Sequence, residues 1–209
     1  MKKKLCAAVL ALSLACPSFH AQNLVNETPE QKDKRMEWFH KAKLGIFIHW
    51  GIYAVKGVSE SWSFYNKYLP HDEYLKQCEG FTASKYDPKA WVELIKESGA
   101  QYTVLTTKHH DGVALWDTKQ NGISVVKNTP AKRDLVTPFV NEVRKAGLRL
   151  GLYYSLPDWS HPDYPNMTRT DVRYKDDPKR WDDFCKFNFA QLKELNNTYK
   201  PDLYWFDGD

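Results

Sequence analysis

Four short apolar runs constrain this 209-residue chain more than any other feature. They read LGIFIHWG (44–51), YTVLTTKHH (102–110), RLGLYYS (149–155) and PDLYWFDG (201–208). Each is too short for a helix and too continuously apolar for a strand with one wet face, the pattern of strands buried on both sides. Helix-period segments lie between them. In DPKAWVELIKESGA, Asp87 is the cap, Pro88 the first helical residue, Trp91, Leu94 and Ile95 the apolar stripe, and Gly99 the stop. LVTPFVNEVRKAGL (135–148) ends at Gly147, and residues 176–200 carry a long amphipathic helix. Another helix, 28–43, precedes the first strand, with Thr28 as cap and Pro29 in its first turn. Residues 52–86 read as a long aromatic loop region, of a length that in compact domains is usually functional. Strand–helix alternation predicts right-handed parallel βαβ units. Four such units make an α/β fold: either half of a (β/α)8 barrel or a small open sheet.

In a barrel, chemistry sits at the C-terminal strand ends, and here each end gives up aliphatic residues. The first closes on His49-Trp50, the second on His109-His110-Asp111, the third on Tyr153-Tyr154-Ser155 and the fourth on Trp205-Phe206-Asp207. Each has an ordinary reading. His49 suits a hydrogen-bonded core position. His109 and His110 point to opposite faces if the strand continues, giving one pocket residue and one packing residue, and the same alternation divides Tyr153 from Tyr154. Trp50, Trp62 and Trp205 each suit a core. Asp207-Gly208 and Asp111-Gly112 are turn dipeptides, and at Asp111 the turn reading is preferred, with its carboxylate supporting a histidine. Together the four ends describe a shared pocket of imidazoles, aromatic faces and a carboxylate. His49, His109, His110 and Asp207 have the ligand types a metal needs, but no HxH or HExxH spacing occurs. There is no GxSxG, P-loop or GxGxxG either. Glycoside cleavage needs a carboxylate pair, neutral hydrogen-bonding groups and an aromatic surface. The strand ends supply all but a second carboxylate.

Composition narrows the context. With 42% hydrophobic and 27% charged residues the chain is globular, and eight Trp, twelve Tyr and ten Phe suit ring stacking against a sugar. A basic start, MKKK, precedes the apolar LCAAVLALSLA, which is too short to span a bilayer. Residues 1–21 therefore read as a signal peptide cleaved after Ala21, sending residues 22–209 to the periplasm or the extracellular space if the source is bacterial. SLAC loosely resembles a lipobox at Cys16, which Ser13 and Pro17 oppose. Removing Lys2, Lys3 and Lys4 lowers the formal charge from +4 to about +1, leaving no nucleic-acid footprint. Cys78 and Cys185 remain, expected as buried thiols rather than a disulfide, and the lack of CxxC argues against a cysteine zinc site.

GIFIHWGIYAV, YDPKAWVELIKESGAQYTVLTTKHHDGVALWDT, RLGLYYSLPDW and YKPDLYWFDG together resemble the family 29 glycoside hydrolases, the α-L-fucosidases, from about residue 34 to the last residue. The resemblance rests on HWG, KHHDG and WxDG falling in that order on successive strands. It implies a (β/α)8 catalytic barrel, usually followed by a β-sandwich, that releases α-linked L-fucose from glycans with retention through a covalent glycosyl-enzyme. It assigns the nucleophile to Asp207 and sugar hydroxyl binding to His49, His109 and His110. It also implies a pocket tyrosine at Tyr153 or Tyr154, Trp205 near the sugar, and Glu60 and Trp62 lining the site from the first long loop. No metal or cofactor is implied. The departure from the family is one of extent. A TIM-type barrel takes about 250 residues, whereas about 188 follow the signal here and the sequence stops two residues past Asp207. The reading is thus the first four βα units of a truncated barrel, with the acid/base expected beyond Asp209 and Glu60 the local candidate. The competing readings are a non-catalytic fucose-binding remnant and a metal-dependent TIM-barrel hydrolase.

Overall fold

The computed structural model describes residues 27–164 and 177–208. The signal-peptide reading, Cys16 and the Ala21 cleavage site lie outside the described residues. The chain divides into two compact units, Met1–His40 and Lys41–Asp209. The first carries most of α1 (Pro29–Ala42). Its start is a reciprocal cap: Gln31 N donates to Thr28 Oγ1 at 3.3 Å, and Thr28 N donates to Gln31 Oε1 at 2.8 Å.

The second unit is built on four parallel strands in the order β1-β2-β3-β4. They are β1 (Gly45–Ile48), β2 (Tyr102–Lys108), β3 (Arg149–Ser155) and β4 (Leu203–Asp207). The long connection after β1 holds a 3-10 turn (Ile52–Ala54) and the short helices α2 (Trp62–Tyr65), α3 (His71–Leu75) and α4 (Gln77–Gly80). It is not the irregular loop the sequence suggests; helices of four or five residues are too short to leave a periodicity. Next come α5 (Pro88–Glu97), α6 (Val125–Asn128), α7 (Val136–Lys145) and α8 (Pro178–Tyr199). Side chains cap the longer helices. Asp87 accepts from Ala90 N, Asp134 from Val136 N and Thr137 N, and Asp177 from Arg180 N.

Strand register separates the two faces of the sheet. Leu105 and Leu152 are paired, fully buried, and share one core cluster with Val136, Phe139 and Val143 of α7 and Leu195 of α8. Thr106, Tyr153 and Trp205 form a row on the opposite face. That face stays partly open, with Phe47 37% and Trp205 52% exposed. The architecture is the α/β fold expected, the first four βα units of a (β/α)8 barrel. Cys78 is buried and free, but Cys185 is exposed and free, so the buried-thiol reading fails for Cys185, which lies on a solvent-facing turn of α8.

Candidate active site

β2 ends at Lys108, two residues earlier than the sequence suggests, with a register shift between Thr106 and Lys108. His109 and His110 therefore lie past the ladder, where strand alternation no longer applies. Both rings turn the same way, with centroids 4.4 Å apart. The turn that holds them is built by Asp111 and Gly112. Asp111 Oδ1 accepts from Val113 N at 2.9 Å, and Gly112 N donates to His109 O at 3.0 Å. Gly112 has φ +76°, and a Cβ there would stand 2.2 Å from Asp158 Oδ1, so only glycine fits. The other oxygen of Asp111 accepts from Tyr74 OH at 2.6 Å. Asp111 thus anchors its own turn and α3 rather than a histidine, which corrects that part of the sequence reading. Burial pushes its carboxyl up to about 6, against the opposing hydrogen bonds from Tyr74 and Val113.

His109 Nδ1 lies 2.5 Å from Ser61 Oγ, and its ring stacks 5.7 Å from that of Tyr153. His49 packs edge-on to His109 at 4.8 Å; its Nδ1 is 3.0 Å from Tyr53 OH and 3.6 Å from Glu60 Oε1. Glu60 has φ +34°, a strained conformation for a side-chain-bearing residue and one that clusters at functional sites. Asp207 stands at the end of β4. Its Oδ2 accepts from Tyr153 OH at 2.6 Å and lies 3.7 Å from His110 Nε2, while its Oδ1 accepts from Gly208 N at 2.8 Å. Trp62 meets His110 edge-on at 5.8 Å. Trp205 and Tyr153 both pack edge-on against Phe47, at 5.4 and 5.7 Å.

Of the residues singled out from sequence, His49, Glu60, Trp62, His109, His110, Tyr153, Trp205 and Asp207 converge around these strand ends. Tyr154 does not. It is fully buried on the helix side, its hydroxyl 2.8 Å from Asn188 Oδ1 and Gln191 Oε1 of α8. Strand alternation is the reason, since it sends Tyr153 to one face and Tyr154 to the other. Trp50 leaves the pocket too, stacking on Tyr86 and meeting Trp91 edge-on. Beside Tyr53, which meets His49, two further contributors were missed. Trp159 packs 4.6 Å from the His110 ring, and its backbone N–H donates to His110 O at 2.7 Å; the LPDW segment contains it but gives no sign of its contact. Ser61, between Glu60 and Trp62, carries no sequence sign of its contact with His109.

Behind the pocket Lys108 is fully buried. Its ammonium donates to Tyr154 OH at 3.0 Å and Asn188 Oδ1 at 3.2 Å, and pairs with Asp158 Oδ2 at 3.4 Å. Asp158 Oδ1 in turn accepts from Ser160 N, and Ser160 Oγ donates to Asp111 O. Strand end, histidine turn and the loop after β3 are therefore one hydrogen-bonded block.

Burial governs the charge states. It drives His109 down to about 2, with His110 and His49 adding to the effect. It drives His110 to about 4, partly countered by Asp207. His49 is lowered by burial against the pull of Glu60 and Asp207. All three imidazoles are neutral at neutral pH. Tyr153 is raised by burial and by its bond to Asp207, so it stays a donor. Neutral imidazoles, aromatic faces and an oriented carboxylate suit an uncharged polyol whose reacting carbon develops positive charge. His109, His110 and Asp207 also offer ligand atoms lying within 4.8 Å of one another. Tetrahedral zinc sets its ligand atoms about 3.3 Å apart, so the group would have to contract to hold one.

The family model for alpha-L-fucosidase matches residues 12–209. Among curated proteins, the chain is 36% identical over 193 residues to an alpha-L-fucosidase of Branchiostoma floridae, covering 82% of this chain and 41% of that protein. It is 34% identical over 187 residues to the tissue alpha-L-fucosidase of Homo sapiens, covering 82% and 39%. Among solved structures, an alpha-L-fucosidase from Bacteroides thetaiotaomicron superposes with a TM-score of 0.74 at 38% identity, covering 84% of this chain and 41% of that one. An alpha-L-fucosidase of the same bacterium has been solved as a trapped covalent intermediate with 2-fluoro-fucosyl fluoride. An alpha-fucosidase of Thermotoga maritima in complex with fucose gives a TM-score of 0.65 at 38% identity, covering 82% and 46%. The chain spans about two fifths of the length of the curated relatives it matches.

Proposed function

Because the chain belongs to the alpha-L-fucosidase family, we propose that the protein hydrolyses terminal α-L-fucosyl residues of glycoconjugates by a retaining double displacement. One observation carries this reading: Asp207 is held at a strand end by Tyr153 OH and Gly208 N, facing neutral imidazoles across an aromatic pocket. In the first step Asp207 attacks the anomeric carbon and the aglycone oxygen departs with a proton. In the second, water attacks the glycosyl ester and Asp207 is released. The Tyr153 hydroxyl fixes the carboxylate's rotation and stabilises it as the leaving group. His49, His109, His110 and Glu60 bind the sugar's hydroxyls; Trp62 and Trp205 offer apolar surface to its ring. The trapped intermediate of the Bacteroides relative supports the covalent route.

A retaining pair needs a second carboxyl about 5–5.5 Å from the first. Glu60 and Asp207 both act on His49 electrostatically, and Glu60 Oε1 lies 3.6 Å from His49 Nδ1. The proposal nevertheless gives Glu60 a sugar-binding role and assigns the acid/base to a part of the protein outside these four βα units. Export directed by residues 1–21 belongs to the same proposal. The test is turnover of an aryl α-L-fucoside followed by NMR of the first-formed anomer. The α anomer is the expected result. The β anomer would overturn the retaining route. L-Fucose binding without turnover would favour a binding remnant, and a tightly held equivalent of zinc would favour a metal hydrolase at His109, His110 and Asp207.

A further inference from the structure

Ser155 closes β3 and is fully buried. Its Oγ lies 2.6 Å from Pro157 O and 2.5 Å from His110 Nδ1. A carbonyl oxygen only accepts, so the single hydroxyl hydrogen goes to Pro157. Ser155 Oγ must then accept from His110, which puts the ring hydrogen on Nδ1. A neutral imidazole carries one N–H, so Nε2 is left with a bare lone pair. That lone pair faces Asp207 Oδ2 across 3.7 Å. Two acceptors point at each other, too far apart and of the wrong polarity to bond. A hydroxyl placed beside them finds Nε2 unoccupied, whereas Asp207 Oδ2 already accepts from Tyr153 OH.

We propose that Ser155 is a positioning residue that locks His110 in its Nδ1–H tautomer, so that Nε2 accepts a hydrogen from one free hydroxyl of the bound sugar. This rests on the fucosidase reading for the identity of the ligand. It defines a substrate class: fucosides whose hydroxyl at that position is unsubstituted. An O-methyl or O-acyl group there has no hydrogen to give, and the neighbouring Trp62 and Trp159 rings limit the added bulk. The charged and titratable groups around the ring come from every strand end: His49 after β1, Lys108 and His109 at β2, Asp158 after β3 and Asp207 on β4. Lys108 is already paired with Asp158, and neither donates to Nε2.

The test is a two-bond proton–nitrogen correlation spectrum of the 15N-histidine-labelled protein at neutral pH, with L-fucose and its mono-O-methyl derivatives as ligands. The expected spectrum assigns a protonated Nδ1 and a bare Nε2 to His110. Methylation at one sugar position should abolish binding. In Ser155→Ala the Nδ1 acceptor is lost, the ring should shift to Nε2–H, and affinity for L-fucose should fall about tenfold or more. Ser155→Thr, which keeps the hydroxyl, should restore the tautomer. An Nε2–H ring in the wild-type spectrum overturns the inference whatever the protein binds, and an unchanged tautomer in a folded Ser155→Ala overturns the role of Ser155. An Nδ1–H ring in a protein with no affinity for L-fucose sinks the fucosidase reading, leaves the tautomer assignment standing, and overturns the substrate class drawn from it.

Discussion

Tyr153 and Tyr154 are neighbours in sequence with separate duties, and substitution should separate them. Tyr153→Phe removes the donor to Asp207 Oδ2. A preorganised donor of this kind is worth roughly 10²–10³ in turnover, so kcat on an aryl fucoside should fall by about that factor with the unfolding midpoint nearly unchanged. Tyr154→Phe instead leaves Lys108, Asn188 and Gln191 short of a shared partner in the buried network. It should cost about 1–3 kcal/mol in stability, read by urea denaturation, with little change in fucose affinity in the folded fraction. The sequence could not decide between the two tyrosines. In a strand apolar on both faces, composition does not reveal which phase points inward; register with β4, which pairs Tyr153 with Trp205, does. Asp207 and Asp111 both stood out as carboxylates at strand ends, and only the family resemblance singled out Asp207. The role of Ser155 was not, because it depends on a hydroxyl's two partners in space.

At the level of elements, the strands and the long helices were readable and the insertions between them were not. The caps at Thr28, Asp87 and Asp177 and the stops at Gly99 and Gly147 give the long helices local signals. The short helices after β1 give none, yet that connection delivers Ser61 to His109 and Tyr74 to Asp111. The early end of β2 at Lys108 likewise rests on a register shift that depends on its partner strand. The turn that follows is the least tolerant element. Gly112→Ala places a Cβ against Asp158 in a left-handed conformation and should destabilise the fold by roughly 2 kcal/mol or more. The loop carrying Trp159 should loosen with it, seen as faster amide exchange at Trp159, whose N–H bonds to His110 O. A wild-type exchange rate there would contradict the coupling of turn and loop.

For the whole molecule the buried histidines set the pH response. His110 and His109 titrate near 6.5 when unfolded but only at about 4 and about 2 when folded. Below about pH 6.5 the unfolded chain binds protons that the folded chain refuses, so the stability these groups contribute is present at neutral pH and lost on acidification. His49, His71 and His161 are also lowered by burial and act in the same direction. Asp111 acts oppositely. Raised from 3.8 to about 6, it contributes stability that is fully present below about 3.8 and lost as pH rises through about 6. The histidines outnumber it, so the net slope between pH 6 and 4 should be a loss of about 1.4 kcal/mol or more per unit of acidification. Urea midpoints at pH 7 and pH 5 check this; a higher midpoint at pH 5 would contradict it. The partly exposed face bearing Phe47 and Trp205 belongs to the same scale: it is the inner face of the partial (β/α)8 barrel that these strands build.

The identity of the nucleophile is tested most directly by peptide mass spectrometry after inactivation with 2-fluoro-fucosyl fluoride. A single fluorofucosyl adduct on Asp207, absent in Asp207→Asn, is the expected result. Turnover by that variant should be reduced roughly 10³-fold or more. An adduct on Asp111, Glu60 or any other residue, or full inactivation of Asp207→Asn, would contradict the assignment.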